Sequence, residues 1–273
     1  MNNTPSRSRL FFDGFGSVMR AFQFVADNRL WPYYLVPLII DFVLSASLFV
    51  LIHGWSQELT QIICGWLGID MATDLNTAGL WEWIKLASSY IIRFLVYVAI
   101  TLCYWSIRKN LIVALSSPIM SLLSDRTEEI LSGQKTPFDG PQFVRDLVRS
   151  GLLALRNFFI ECGVSIGIFL LSFLVSLIGG PLALIAVPVL SLSGLAVSSY
   201  YFGGSLIDYS LERRKLSIRE TLDFNRRNKM SVIGIGAAFH VLLLIPFIGI
   251  ALAIVLGTTG ATQWMVKEKS THK

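Results

Sequence analysis

The sequence predicts an all-α integral membrane protein, and three observations support this fold class. The chain of 273 residues is 53% hydrophobic and only 15% charged, whereas soluble domains carry about 25% charged residues. Several apolar runs are long enough to cross a bilayer as helices, and the alternation typical of outer-membrane barrel strands is missing from the sequence. We therefore predict two long transmembrane helices plus two helical hairpins that penetrate the bilayer partly or fully, with amphipathic surface helices.

The chain is predicted to begin with an amphipathic helix. Residues 1–9 are polar and are expected to be disordered. The next apolar side chains recur at helical spacing, which predicts a helix on the membrane surface. They are Phe11, Phe15, Val18, Phe22 and Val25. We expect one integral membrane domain over 10–265 and a basic cytoplasmic tail over 266–273.

Two apolar runs, 33–53 and 83–105, predict the long spans. Pro37 is expected to kink the first of them. Arg93 lies deep in the second, where charges are costly and are usually paired or functional. Asp41 in the first run is its expected partner. This pair either fixes helix packing or lies in an anion pathway.

Ser117 and Pro118 have the pattern of an N-cap followed by proline at the first helical position. One helix is therefore expected to end near Ser116 and another to start at Pro118. Gly133 is expected to end that second helix. Further along, Ser217 and Glu220 have the spacing of a capping box, which predicts a short surface helix.

The apolar segments 158–202 and 232–264 each predict a helical hairpin. In the first segment, the tight connection at 179–180 requires the two apolar stretches on either side of it to form a hairpin. Pro246 and Gly249 divide the second into pieces of about 14 and about 18 residues, each short or marginal against the roughly 20 needed to span. We expect it to dip partway into the bilayer with its tip at "IPFIG", under cover of protein or beside a water-filled cavity. The alternative is an ordinary kinked hairpin packed through small residues.

The distribution of basic residues predicts the orientation. Lysine and arginine cluster before residue 30 and at 108–156, 213–229 and 267–273, whereas 54–82 contains neither. By the positive-inside rule, both termini are cytoplasmic and 54–82 lies outside.

Composition and spacing predict no catalytic residue, metal site, cofactor or nucleic-acid partner. The three cysteines and three histidines are scattered, and the sequence has no zinc-hydrolase, phosphate-loop or three-glycine nucleotide motif. A membrane-embedded hydrolase would require His53 or His240 beside an activated nucleophile.

Three stretches, in order, are similar to a known family. "SSPIMSLLSDRTEEILSG", "YYFGGSLIDYSLERRKLSIRETLDFNRRNK" and "IPFIGIALAIVLGTTGAT" together resemble the signatures of the CysZ and etoposide-induced-protein domain family, over roughly residues 10 to 265. The resemblance implies two long transmembrane helices and two pairs of helices that penetrate partway. Its bacterial branch implies sulfate uptake for cysteine synthesis across the inner membrane, without a nucleotide or metal cofactor.

The resemblance also implies an anion site at the start of the first span. There the family has a turn of the type Gly-[Leu/Ile]-Arg-Arg, and this chain has Asn28 and Arg29 between Asp27 and Leu30, without the glycine or the second arginine. Backbone N–H groups and an arginine at a helix start suit an oxyanion.

Asp125 and Glu128 match acidic positions of the family, and with Arg149 or Arg156 they are expected to form a polar cluster at the inner mouth of a pore. A solvated helix face is the alternative. The implied function is a permease or channel for a small inorganic anion, sulfate first. The alternative is a non-transporting membrane scaffold or stress-associated protein, as in the eukaryotic branch. We expect a homo-oligomer in the lipid bilayer, because partly penetrating hairpins need a partner surface to cover them.

Overall fold

The computed structural model describes residues 6–68, 80–133, 140–212, 214 and 216–271. Every regular element in these residues is helical, which confirms the all-α fold class. The α-helices are α1 (Arg7–Asp27), α2 (Leu35–Trp66), α3 (Leu80–Ser132), α4 (Gly140–Ile178), α5 (Ala183–Glu212), α6 (Ile218–Arg227), α7 (Lys229–Leu243) and α8 (Gly249–Thr271).

Four segments of the described chain are long and apolar enough to cross a membrane. They are Trp31–Leu48, Gly151–Ile178, Gly180–Glu212 and Gly249–Glu268. The second predicted span, 83–105, lies inside α3 and stays a prediction. For the last hairpin, α7 has 15 residues and is short as expected, whereas α8 contains the membrane-length segment Gly249–Glu268 of 20 residues, so the expectation is wrong for the second piece only.

Pro118 does not start a new helix, contrary to our prediction. Helix α3 runs through it without a break from Leu80 to Ser132. An interior proline removes one backbone hydrogen bond and costs about 3 kcal/mol, but the helix on both sides of it is packed into the core. Ile112, Val113, Met120 and Leu123 are all buried, so tertiary packing outweighs the local signal.

Pro37 lies in the first turn of α2. The N–H groups of a first turn have no partner within the helix, so proline is tolerated at this position, and the kink stays a prediction. The helix end at Gly133 is confirmed, with Gly133 at φ +69°.

The prediction that residues 1–9 are disordered is wrong for 7–9, and the predicted basic tail is partly helical. Helix α1 begins at Arg7, and Ser6 caps it by accepting from the N–H of Arg9. Helix α8 continues to Thr271. Residues 1–5 and 272–273, parts of these predicted segments, lie outside the described residues, as do 69–79 of the predicted external loop.

The chain divides into two compact units. A main unit comprises Met1–Leu38 and Val113–Lys273, and a small unit comprises Ile39–Ile112. The prediction that 10–265 acts as one membrane domain stays a prediction. Within the small unit, α2 and α3 are joined by hydrogen bonds from Tyr104 to the carbonyl oxygen of Leu44 and from Arg108 to Asp41.

In the main unit, α1 packs against α7 and α8, and α5 also packs against α7 and α8. Glycine allows the closest of these approaches. A Cβ built on Gly236 would lie 1.8 Å from the carbonyl oxygen of Ser199, and one on Gly234 would lie 2.1 Å from that of Phe11. The helices therefore contact backbone to backbone, as is typical of membrane helix pairs.

Helix α1 is amphipathic as predicted, but small residues make its buried face. Gly14, Ser17, Val18, Ala21 and Val25 are buried, while Phe22, from the predicted stripe, is 53% exposed. Of the four membrane-length segments, the one in α8 is the most enclosed, with 83% of its apolar stretch buried inside the structure.

The predicted hairpin between α4 and α5 is confirmed, with the turn at 179–180 and the two helices packed together. Its tip carries exposed apolar side chains such as Ile178 and Leu184. An apolar tip of this kind is suited to a lipid environment.

Candidate functional site

The turn that carries Asn28 and Arg29 is the C-terminal cap of α1. The N–H of Leu30 donates to the carbonyl of Val25 at 3.0 Å, and the N–H of Arg29 donates to that of Ala26 at 3.3 Å. These two bonds, with Arg29 at φ +55°, form a Schellman motif in which Arg29 takes the position that usually holds glycine.

This cap changes the expected anion site. The backbone N–H groups of residues 28, 29 and 30 all donate to carbonyl oxygens of α1, and the side-chain amide of Asn28 donates to the carbonyl of Phe24 at 2.9 Å. Backbone N–H groups at a helix start were expected to supply part of the anion binding, but the N–H groups of this turn are already engaged. What Arg29 offers an anion is its exposed guanidinium, beside the exposed Asp27.

In the small unit, Asp41 is buried and pairs with Arg108. The expected pairing of Asp41 with Arg93 is therefore wrong. Arg93 is exposed and lines a shallow groove of about 380 Å³ whose walls belong to α3. The other lining residues are Tyr90, Phe94, Tyr97, Val98 and Thr101.

The main unit contains a buried ionic cluster around Arg149. Its Nη2 lies 3.0 Å from Oδ1 of Asp208 and donates to Oγ1 of Thr221 at 2.6 Å. Its Nη1 lies 3.9 Å from Oε1 of Glu212, and Ser121 donates to the other oxygen of Glu212 at 3.4 Å. Asp208 and Glu212 are 2% and 3% exposed. One cation thus faces two carboxylates from α5.

Helix α6 brings Thr221 into this cluster, and a capping box fixes the start of that helix. Ser217 and Glu220 exchange both capping bonds, which confirms the predicted capping box. The backbone N–H and the hydroxyl of Ser217 each donate to the Glu220 carboxylate at 2.7 Å. These bonds hold the pKa of Glu220 below its usual value.

The expected grouping of Asp125 and Glu128 with Arg149 or Arg156 stays a prediction. Both acids are half-buried on α3, while the partners described for Arg149 lie on α5 and α6. Arg156 donates to the side chain of Asn157 at 3.1 Å. The sequence reasoning missed Asp208 and Glu212, although both stand inside the quoted "SLIDYSLE" stretch, at the end of an apolar run.

Three buried hydroxyls meet where α3, α5 and α8 pack together. The Oγ of Ser124 lies 2.7 Å from Oγ1 of Thr262 and 3.2 Å from Oγ of Ser210. Ser210 also donates to Thr262 at 3.1 Å. Such hydroxyls bond helices together in membrane proteins, and they line the packed interior between α3, α5 and α8.

A second buried polar group joins α4, α5 and α7. Ser198 Oγ lies 2.5 Å from Oε1 of Glu161 and 3.1 Å from Nε2 of His240. Glu161 lies well inside α4 and is only 5% exposed. A histidine and a serine are thus adjacent, as a hydrolase would require. The order differs from a catalytic triad, because here the hydroxyl, not the imidazole, stands between the other two groups.

The predicted hairpin tip lies between α7 and α8, and Pro246 and Gly249 mark it as expected. Gly249 begins α8. Phe247 has φ +64° and is 93% exposed, and Leu244 is 80% exposed. Within the described residues, no group of three or more His, Cys, Asp or Glu side chains is placed to hold a metal ion.

The comparisons with known proteins identify the family. The family model described as "Sulfate transporter CysZ/Etoposide-induced protein 2.4" matches residues 17–253. No curated protein matches the chain. The matched range includes the Arg29 turn, the cluster around Arg149, the group of Glu161, Ser198 and His240, and the tip of the last hairpin. This all-α membrane protein belongs to the sulfate transporter CysZ/etoposide-induced protein 2.4 family.

Proposed function

We propose that this protein is an inner-membrane permease for a small oxyanion, with sulfate as the first candidate, and that it supplies sulfur for cysteine biosynthesis. The observation that carries the proposal is the family match over residues 17–253, whose description names a sulfate transporter. We further propose that both termini are cytoplasmic, following the distribution of basic residues.

Arg29 is the proposed entry residue. Its guanidinium is exposed, and the Schellman motif fixes its backbone at the point where α1 ends and the membrane-length segment Trp31–Leu48 begins. Because the backbone of Arg29 is fixed, less conformational entropy is lost when its side chain is held in one orientation by an anion. A guanidinium can donate two parallel hydrogen bonds to two oxygens of sulfate, as it does to the two oxygens of a carboxylate.

Arg93 is the second proposed anion-contacting residue, since it is exposed and lines an open groove of α3. The hairpin tip supports a homo-oligomer. Its exposed apolar residues at 244–248 include non-helical backbone, and such backbone inside a bilayer requires cover by protein.

A non-transporting scaffold is the second candidate, and two observations favour it. The amides of residues 28–30 are engaged within the chain, which leaves a single arginine for the anion. The guanidinium of Arg149 is also engaged within the chain, by Asp208 and Glu212. Neither feature favours an anion in the interior of the main unit.

The test is uptake of radiolabelled sulfate into proteoliposomes that contain the purified protein. Arg29→Gly is the sharpest variant, because glycine suits the positive φ of this position and only the guanidinium is lost. Arg29→Lys keeps the charge. Arg20→Gln is the matched control, since Arg20 is another exposed arginine of α1.

We expect uptake above that of empty liposomes, reduced at least tenfold in Arg29→Gly, partly retained in Arg29→Lys and unchanged in Arg20→Gln. Full uptake in Arg29→Gly with loss in Arg93→Ala would move the entry site to the Arg93 groove. A folded protein that takes up neither sulfate, sulfite, thiosulfate nor phosphate would leave the scaffold as the better account.

A further inference from the structure

Helices α4 and α6 both pack against α5 at one level, around residues 203–205. The side-chain amide of Asn157 in α4 donates to Oγ of Ser205 at 3.2 Å. Asn225 of α6 lies against Gly204, where an added Cβ would be 2.7 Å from its Nδ2. The residues next to these two asparagines, one on α4 and one on α6, therefore lie at the same level of the helix bundle.

The connection between α6 and α7 lies at this level too. A Cβ built on Gly203 would be 2.0 Å from the carbonyl oxygen of Val232 in α7, so residues on both sides of the connection lie beside adjacent glycines of α5. Three basic residues, Arg226, Arg227 and Lys229, belong to this connection, and all three are exposed.

Two basic side chains from different helices lie around one hydroxyl. Arg156 of α4 and Arg226 of α6 are both close enough to Tyr200 of α5 to act electrostatically on its hydroxyl. Arg156 is half-buried and donates to the side chain of Asn157 at 3.1 Å, whereas the side chain of Arg226 is 73% exposed. Guanidinium groups and a phenol all donate hydrogen bonds, so this cluster is suited to the oxygens of an anion.

The ion pair that Arg226 makes within the chain is weak. Asp223 lies 3.6 Å from it, and the side chain of Asp223 is 61% exposed, so the pair contributes little in water. Arg227 and Lys229 have no ion pair with the residues that the structure describes. This part of the surface therefore offers positive charge to an external anion.

Two long runs without charge lie next to this level. Residues 162–207 and 230–266 contain no Asp, Glu, Lys or Arg. Phe159, three residues after Arg156 in α4, is 64% exposed. Tyrosine and basic side chains at the end of an apolar membrane segment are typical of the level of the lipid headgroups.

We propose that Arg156, Tyr200 and Arg226 bind the phosphate group of an anionic phospholipid, and that Arg227 and Lys229 add to its attraction. The phosphate oxygens accept hydrogen bonds from the guanidinium and phenol groups. An anionic headgroup such as that of phosphatidylglycerol keeps its full negative charge, whereas a choline headgroup cancels the charge of its phosphate.

A phospholipid fits this place better than a free anion does. The acyl chains of a lipid contact the exposed apolar surface that adjoins the cluster, including Phe159, and a free anion leaves that surface without a partner. This inference goes beyond the proposed transport function and does not depend on it, since neither Arg29 nor Arg93 belongs to the cluster.

The experiment is a lipid titration of the purified full chain in a non-ionic detergent without sulfate. Native mass spectrometry measures the binding of phosphatidylglycerol and of phosphatidylcholine with the same acyl chains. We expect phosphatidylglycerol to bind at least fivefold more tightly. Equal binding of the two lipids in the native sequence overturns the proposal, whatever the variants do.

Inorganic phosphate distinguishes a lipid site from a site for free anions. A ligand that binds only the folded protein raises its Tm, so thermal unfolding compares phosphate with phosphatidylglycerol at matched concentrations. We expect phosphatidylglycerol to raise the Tm and phosphate to leave it unchanged. An equal rise with both would overturn the assignment to a phospholipid.

Three substitutions test the cluster, and a fourth is the matched control. Arg156→Gln and Arg226→Gln should each weaken phosphatidylglycerol binding about fivefold, the factor typical of one basic residue near an anionic membrane surface. Tyr200→Phe removes only the hydroxyl and should weaken binding less. Arg219→Gln should leave binding unchanged, since Arg219 is an exposed arginine at the other end of α6.

Arg226 is exposed, so its substitution tests binding without disturbing a buried contact, and the Tm of each variant without lipid verifies that it folds. Native affinity for phosphatidylglycerol in both Arg156→Gln and Arg226→Gln would overturn the assignment to these residues. A loss in Arg219→Gln as large as that in Arg226→Gln would do the same, because it would indicate attraction to the whole basic surface.

Discussion

The guanidinium of Arg149 in α4 donates two hydrogen bonds to the carboxylate of Asp208 in α5. Nη2 lies 3.0 Å from Oδ1, and Nη1 lies 3.4 Å from Oδ2. Their side chains are 15% and 3% exposed. Both charged groups are largely withdrawn from water, so this pairing matters far more to stability than a surface ion pair does.

Arg149→Met should destabilise the protein strongly. It leaves two buried carboxylates, Asp208 and Glu212, without this cation, and loss of one partner from a buried pair typically costs about 3 to 5 kcal/mol. Thermal unfolding in detergent should show a large fall in Tm. Arg126→Met is the control, because the Arg126–Glu129 pair has an arginine that is 51% exposed and should contribute less than about 1 kcal/mol. Equal effects of the two substitutions would contradict the prediction.

The pairing of Asp41 predicts the outcome of a double-mutant cycle. Asp41→Asn and Arg108→Gln remove the two ends of one contact, so their effects on the free energy of unfolding should be non-additive by about 0.5 to 3 kcal/mol. The cycle of Asp41→Asn with Arg93→Gln should be additive within about 0.5 kcal/mol. A strong coupling to Arg93 would restore the pairing that the sequence suggested.

Gly236→Ala should disrupt the packing of α7 against α5. The added Cβ would lie 1.8 Å from the carbonyl oxygen of Ser199, so the helices must move apart, at a cost of about 1 to 3 kcal/mol or more. Gly167→Ala on α4 is the matched substitution, since nothing lies within 4 Å of its Cβ. It should raise stability by up to about 1 kcal/mol through helix propensity. Chemical denaturation of both variants checks the contrast.

The capping box predicts a pH dependence of the start of α6. Hydrogen bonds from Ser217 hold the pKa of Glu220 below its usual value. A lowered pKa in the folded state means that the stabilisation is complete above the unfolded pKa, near 4.3, and is lost as the pH falls through the folded pKa. Hydrogen exchange of the Ser217 amide should therefore accelerate, relative to its intrinsic rate, at acid pH. In Glu220→Gln this protection should not vary with the titration, and a change identical to that of the native sequence would refute the assignment.

The sequence predicted the elements that depend on local chemistry. The hairpin at 179–180, the turn at Pro246 and the capping box at Ser217 each depend on residues within a few positions of one another, and all are present. Pro118 misled us because its local pattern, although typical of a helix start, competes with the burial of Met120 and Leu123 over a longer stretch of α3.

The polar clusters needed three-dimensional information. Glu161 and His240 are far apart in the chain, and only the packing of α4, α5 and α7 brings both to Ser198. The same holds for Arg149 and Asp208. The residue types alone mark these positions as unusual, because each is a titratable group within or beside a long apolar run. The spacing of the residues along the sequence, however, does not reveal which of them pair.

The packing of α1 against α7 constrains the order of events during synthesis. Ser231 donates to the carbonyl of Leu10 across 221 residues, and Gly234 meets the backbone of Phe11. Helix α1 leaves the ribosome long before α7 and α8, against which it packs, have been synthesised. Until then its glycine-containing face must contact lipid or a chaperone instead. Contacts of such long range close slowly. The nascent chain thus passes through an interval in which every segment before α7 has been synthesised but the main unit is still open.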